Sequence, residues 1–200
     1  MKERNSALKL TQAAMIAALA YIGFQFLRID IPVGGERTAF HLGNTFVVLG
    51  SLLLGGWGAV AAALGLTVAD LTGGYATSAP KTFLLKLIIG FIAWFISRKV
   101  FHIEQVSNGK RQSFIALVSS AVSLGCNVIL DPVVGYFYKT YLFGIPQDAS
   151  ALLAKISSVT TLVNEVLSTV CVAVFWAGIY PALRRGGLLT WRTQGKPAQR

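Results

Sequence analysis

The stretch from His41 to Lys86, HLGNTFVVLGSLLLGGWGAVAAALGLTVADLTGGYATSAPKTFLLK, decides the fold. Two apolar segments meet at the tight corner Gly55-Gly56-Trp57-Gly58, and a glycine-rich polar loop holding Tyr75 and Lys81 follows Asp70. Water-soluble domains rarely string apolar residues so densely with so few charges. The rest of the chain agrees: 54% of its 200 residues are hydrophobic and 13% are charged. A spanning helix needs roughly 20 apolar residues to cross a hydrocarbon core about 30 Å thick. Backbone in lipid must satisfy its own hydrogen bonds, which leaves helices or closed barrels. The apolar runs are continuous rather than alternating, so the expected class is an all-α integral membrane protein.

Six spans are predicted, at about 8–27, 43–54, 57–71, 82–101, 113–136 and 156–183, in one transmembrane domain covering 1–200. The second is short for a full crossing. The first apolar run leads into the charged segment RIDIPVGGER rather than a small-residue cleavage site, so no cleavable signal is expected. With both termini cytoplasmic, the inner face collects Lys2, Arg4, Lys9, Arg98, Lys99, Lys110, Arg111, Arg184, Arg185, Arg192, Lys196 and Arg200. The outer face holds Arg28, Arg37, Lys81, Lys139 and Lys155, with Lys86 near it. That bias follows the positive-inside rule. The net charge of +10 is therefore mainly a topology signal, and dispersed cations without a binding motif argue against nucleic acid.

Polar residues inside the spans carry the functional signal. Ser120, Ser123, Asn127 and Asp131 recur at three- and four-residue steps and share one helical face. Ser157, Thr161, Asn164 and Ser168 do the same on the last span, with Glu165 beside them. Lys86 lies one turn into the fourth span, and Asp70 ends the third. Intramembrane ionisable groups are costly and normally face a cavity or one another. Plainer roles stand beside this reading. The serines can bond back to their own helices, the asparagines can join helices, Lys86 can pair structurally with Asp131 or Glu165, and Asp70 can cap a helix end. Two stripes and a lysine converging at one depth favour a ligand cavity.

On the first span Ala13, Ala14, Ala17 and Ala18 form small-xxx-small pairs, which allow close approach of another helix, either a partner's or one within the same protein. Cys126 and Cys171 fall inside spans and read as small hydrophobes, and no metal-ligand spacing exists. His41 and His102 fall on opposite faces, which excludes a histidine metal site. No GxxxxGK[ST] phosphate loop is present, so ATP hydrolysis by that route is not expected of this chain.

With these residues in view, the chain resembles the substrate-binding S components of energy-coupling factor (ECF) vitamin transporters, from about Leu8 to Leu183. The matching features are the alanine-rich first helix, then IPVGGERTAFHLGNTFVVLGSLLLGGWGAVAAALG and ADLTGGYATSAPKTFLLKLIIG. The resemblance implies a bacterial plasma-membrane importer subunit that is not an enzyme and carries no cofactor. Its implied partners are a transmembrane coupling subunit, two ATPases and a small vitamin, the S component toppling in the bilayer to release substrate inward. It looks most like the branch for hydroxymethylpyrimidine- or pyridoxine-like heterocycles, with pantothenate, riboflavin and a queuosine precursor as alternatives. The resemblance further implies a lid at Arg28–Leu42 and a second gate at Thr72–Pro80. It places the pocket at Lys86, Asn127, Asp131, Asn164 and Glu165, with Tyr75 to stack on a ring and His41 or Asn44 at the lid base. Ala13, Ala14, Ala17 and Ala18 fall where the family packs on the coupling subunit.

One departure concerns aromatics. Trp57, Trp94, Trp176 and Trp191 read as cytoplasmic or central, leaving stacking to Tyr75, Tyr136, Tyr138 or Phe83. Asparagines paired with carboxylates suit a neutral or cationic heterocycle, while Lys86 and Lys81 offer a seat for a carboxylate. The competing classes are a stand-alone carrier or structural subunit, against which the lack of an inverted repeat argues, and a membrane enzyme, for which nothing marks a nucleophile.

Overall fold

The computed structural model describes residues 2–33 and 36–189. Trp191, Arg192, Lys196 and Arg200 lie outside the described residues, as do the side chains of Lys2 and Arg4. Among the described residues the chain forms α1 (Lys2–Gln25), a hairpin of β1 (Ile29–Val33) and β2 (Glu36–Phe40), then α2 (Gly43–Leu54) and α3 (Gly56–Thr72). After these come α4 (Ala79–Trp94), α5 (Gly109–Phe137) and α6 (Gln147–Arg185). Wider π-type turns extend α4 over Phe95–Val100 and α5 over Tyr138–Leu142.

Four helical stretches are long and apolar enough to cross a membrane: Ser6–Gln25, Ala76–Val100, Gly109–Leu142 and Gln147–Arg185. The helices α2 and α3, with 12 and 17 residues, are shorter. They meet at Gly55, whose φ of 67° is readily accessible only to glycine. Just beyond the corner the two backbones touch, and a Cβ on Gly58 would overlap the Gly50 carbonyl. Gly65 packs in the same way against the Ala17 carbonyl of α1. Around these contacts a core of Val47, Val48, Leu52, Leu66, Ile89 and Leu124 is fully closed off. Large apolar side chains such as Leu10, Ile129, Val159 and Val174 point outward instead, a distribution that suits lipid rather than water.

The all-helical bundle is as expected, with one addition. The lid region is an antiparallel hairpin, Ile29 opposite Phe40 and Val33 opposite Glu36. It closes one end of the bundle, the end where α3 gives way to α4 and α5 to α6. Away from it, Arg98 donates to the carbonyls of Leu52 (3.2 Å) and Leu53 (2.9 Å) and pairs with Glu104 at 2.5 Å. That guanidinium satisfies two of the C-terminal carbonyls of α2, which helix geometry alone leaves open.

Candidate functional site

Under the hairpin lies a cavity of about 140 Å³. Its walls take Phe24 from the end of α1, Asn44 from α2, Asp70 from α3, Lys86 from α4, Asn127 and Asp131 from α5, and Asn164 from α6. His41 and Tyr75 complete it from the connecting segments. Seven of the eight residues singled out in the sequence therefore face one space. The eighth, Glu165, is buried behind the wall and does not line it.

Two clasps set the geometry. Asp131 accepts from Lys81 Nζ at 2.9 Å through one oxygen, and from Ser157 (2.7 Å) and Thr161 (2.9 Å) through the other. It thereby ties α4, α5 and α6 together with its oxygens occupied. Glu165 Oε1 accepts from the amides of Asn44 (2.8 Å) and Asn127 (2.5 Å), tying α2, α5 and α6. Its Oε2 and the Oδ1 atoms of both asparagines are buried without a hydrogen-bond partner among the described residues. Pro132, next to Asp131, also lines the cavity and cannot donate to the Val128 carbonyl four residues back, which loosens α5 at this depth.

The lysine that pairs with Asp131 is Lys81, not Lys86. Lys86 is only 8% exposed, lines the cavity and has no ion pair or hydrogen bond among the described residues. An ammonium held in a membrane bundle without a direct partner is costly, and facing a polar chamber lowers that cost.

The lid is fastened to α6. Asn164 donates to the Ala39 carbonyl (2.9 Å) and accepts from the His41 amide (3.0 Å), doing for β2 what a neighbouring strand would do. Thr38 and Thr160 hydroxyls meet at 2.9 Å beside it. Asn164 is thus satisfied by the lid itself. A second fastening reaches the α3–α4 loop. Tyr75 donates to Asp30 at 3.0 Å, Arg28 pairs with Asp30 at 3.3 Å, and the Arg28 guanidinium lies over the rings of Phe24 and Tyr75. Burial and the neighbouring Asp30 push the Tyr75 phenol up to about 12, so it remains a donor. His41 Nδ1 accepts from the Gly43 amide at 3.1 Å, which leaves Nε2 to carry the proton. Burial, reinforced by the Lys86 charge, lowers the His41 imidazole to about 3 and keeps it neutral.

A second, outer cavity of about 470 Å³ shares Arg37, Tyr75, Ser78, Lys81 and Lys139 with the inner one. Tyr138 and Phe143 wall it, whereas Tyr136 and Phe83, also considered for stacking, line neither cavity. Phe24 lines the inner cavity beside Tyr75, and sequence reasoning missed it because it sits in an ordinary apolar run. Ala13 packs on the core and Ala17 against Gly65, while Ala14 and Ala18 face outward. The alanine stripe is thus divided between an internal and an external face.

A lidded polar chamber at one end of an apolar helical bundle defines the class: an integral membrane protein built around an internal polar cavity. The family described as ECF-type riboflavin transporter, S component, matches residues 4–181, and the chain belongs to it. No curated protein and no solved structure matches the chain. Membership makes it a substrate-binding transport component, not an enzyme, that works with an ECF module in vitamin uptake.

Proposed function

We propose that this S component captures a single-ring heterocyclic vitamin or precursor, of the hydroxymethylpyrimidine or pyridoxine kind, at the outer face of a bacterial plasma membrane. A coupling subunit and two ATPases then drive its uptake, with both termini of this chain in the cytoplasm. The size of the inner cavity carries the reading. A chamber of about 140 Å³ is close to the engineered cavity of about 150 Å³ that accommodates one benzene ring. Its lining fits a polar ring: Phe24 and Tyr75 offer aromatic contact, and Lys86, His41 Nε2 and the Ser157 and Thr160 hydroxyls offer polar groups.

A second reading, riboflavin, is favoured by the family's description and by the roomier outer cavity against the inner one. Equilibrium titration of the protein in lipid nanodiscs with pyridoxine, hydroxymethylpyrimidine and riboflavin separates the two. Tight binding of a single-ring compound, with riboflavin much weaker, is expected. Tight binding of riboflavin alone overturns the single-ring reading.

A further inference from the structure

We propose that the outer cavity is a seat for a phosphate monoester carried by the ligand whose ring fills the inner cavity. This rests on the binding role proposed above and names the substrate class more closely. The outer cavity is lined by Arg37, Lys81 and Lys139, and among the described side chains no carboxylate lines it. Of the acids around it, Asp131 in the wall of the inner cavity already serves Lys81, Ser157 and Thr161, and Asp30, which accepts from the lining Tyr75, is paired with Arg28. Taken together, the two cavities set four cations, Arg37, Lys81, Lys86 and Lys139, against two carboxylates, Asp70 and Asp131. The asparagine–carboxylate pairing that suggests a neutral or cationic ligand is spent within the protein, since the Asn44 and Asn127 amides serve Glu165.

The surroundings hold that charge in place. Tyr138 donates to the Thr77 carbonyl at 2.8 Å, pinning the end of α5 over the α3–α4 loop. The Lys139 carbonyl accepts from the amides of Phe143 (3.3 Å) and Ile145 (3.2 Å), which fixes the backbone that carries this lysine. Helix α4 also begins here, with Ser78 and Lys81 in both walls and no acidic residue in its first turn, so the positive end of its dipole adds to the field. A planar guanidinium beside ammonium groups matches the charge and oxygen geometry of a phosphate dianion. A neutral vitamin gains nothing from such a lining.

The test compares each parent with its ester, pyridoxine with pyridoxine 5′-phosphate and riboflavin with riboflavin 5′-phosphate, on the full chain in nanodiscs. The ester is expected to bind at least about tenfold more tightly than its parent, with the advantage shrinking as salt rises. In the Arg37→Gln/Lys139→Gln variant the ester-to-parent ratio is expected to fall towards one. Parent binding as tightly as ester in the unaltered protein overturns the anion seat and leaves the single-ring reading standing. An undiminished ratio in the variant also overturns it. Binding of the flavin pair alone, ester ahead, supports the seat and removes the single-ring reading. Binding of none of the four overturns the seat, and the hydroxymethylpyrimidine titration then decides the single-ring reading.

Discussion

Asn164 illustrates how a residue can govern a site without offering it a free polar group. Its amide is engaged on both sides by the lid backbone at Ala39 and His41. Asn164→Ala strands a carbonyl and an N–H where water is scarce, at a cost of about 1–3 kcal/mol. The expected outcome is a loss of ligand affinity of more than about tenfold, mostly as faster dissociation, in a protein that still purifies folded. Unchanged dissociation in stopped-flow binding would show that the lid stays shut without this clasp. His41 yields a pH prediction. Its folded pKa, about 3, lies below the unfolded value of 6.5, so the unfolded chain binds more protons in that window. Stability therefore falls as pH drops from 6.5 towards 3, by roughly 2 kcal/mol at pH 5 from this group. His41→Gln should flatten that part of a melting-temperature profile recorded in detergent. The helical spacing of Asn127, Asp131, Thr161 and Asn164 made their common depth legible in the sequence. Partner choice was not, because Lys81 and Lys86 stand little more than one turn apart on α4 and only packing decides which reaches Asp131.

Between elements, the lid and the α3–α4 loop meet through a few side chains. Tyr75 donates to Asp30 under the Arg28 guanidinium, so the hairpin and the second gate move apart only when that contact breaks. Tyr75→Phe keeps the ring packed on Phe24 and removes the hydroxyl. Ligand dissociation should speed up by about fivefold, as befits a partly exposed hydrogen bond to a carboxylate, and single-turnover release measurements check it. At the other end, Arg98→Ala uncaps α2 at Leu52 and Leu53 and leaves Glu104 without that partner. About 2 kcal/mol of stability should go, seen as a lower unfolding temperature, with ligand affinity unchanged because Arg98 lies far from the chamber. An unshifted unfolding temperature would mean that water or lipid headgroups cap α2 equally well. The helices were legible from long apolar runs, but the lid's strands were not. Ile29–Val33 alternates apolar and polar residues and ends at Gly34-Gly35, which is a hairpin signal. Its proline and charges gave it the look of an irregular loop. Helix α6 starts at Gln147, well before the predicted 156, because its first turns are too polar to register as a span.

At the scale of the whole molecule, the alanine stripe divides between a face that holds the bundle together and a face left exposed. Gly65 and Ala17 let α3 and α1 touch backbone to backbone, so a larger residue at Ala17 would force the two helices apart. Ala14 and Ala18 are exposed on α1, beside an outward surface otherwise built from Leu10, Met15, Leu19 and Ile22. Small residues flanked by large ones form a shallow groove, and in lipid such grooves are where another helix approaches closely. Family membership supplies a partner, an ECF module, and we propose that one of its helices seats in this groove. Ala14→Leu with Ala18→Leu fills the groove without disturbing an internal contact, and leucine is nearly as good a helix former as alanine. The double variant should therefore bind ligand as the unaltered protein does, yet support little uptake when co-expressed with its module in vesicles supplied with ATP. Co-purification of the coupling subunit should weaken in parallel. Loss of binding and uptake together would place this face inside the bundle's own packing, and full uptake would move the docking surface elsewhere on the protein.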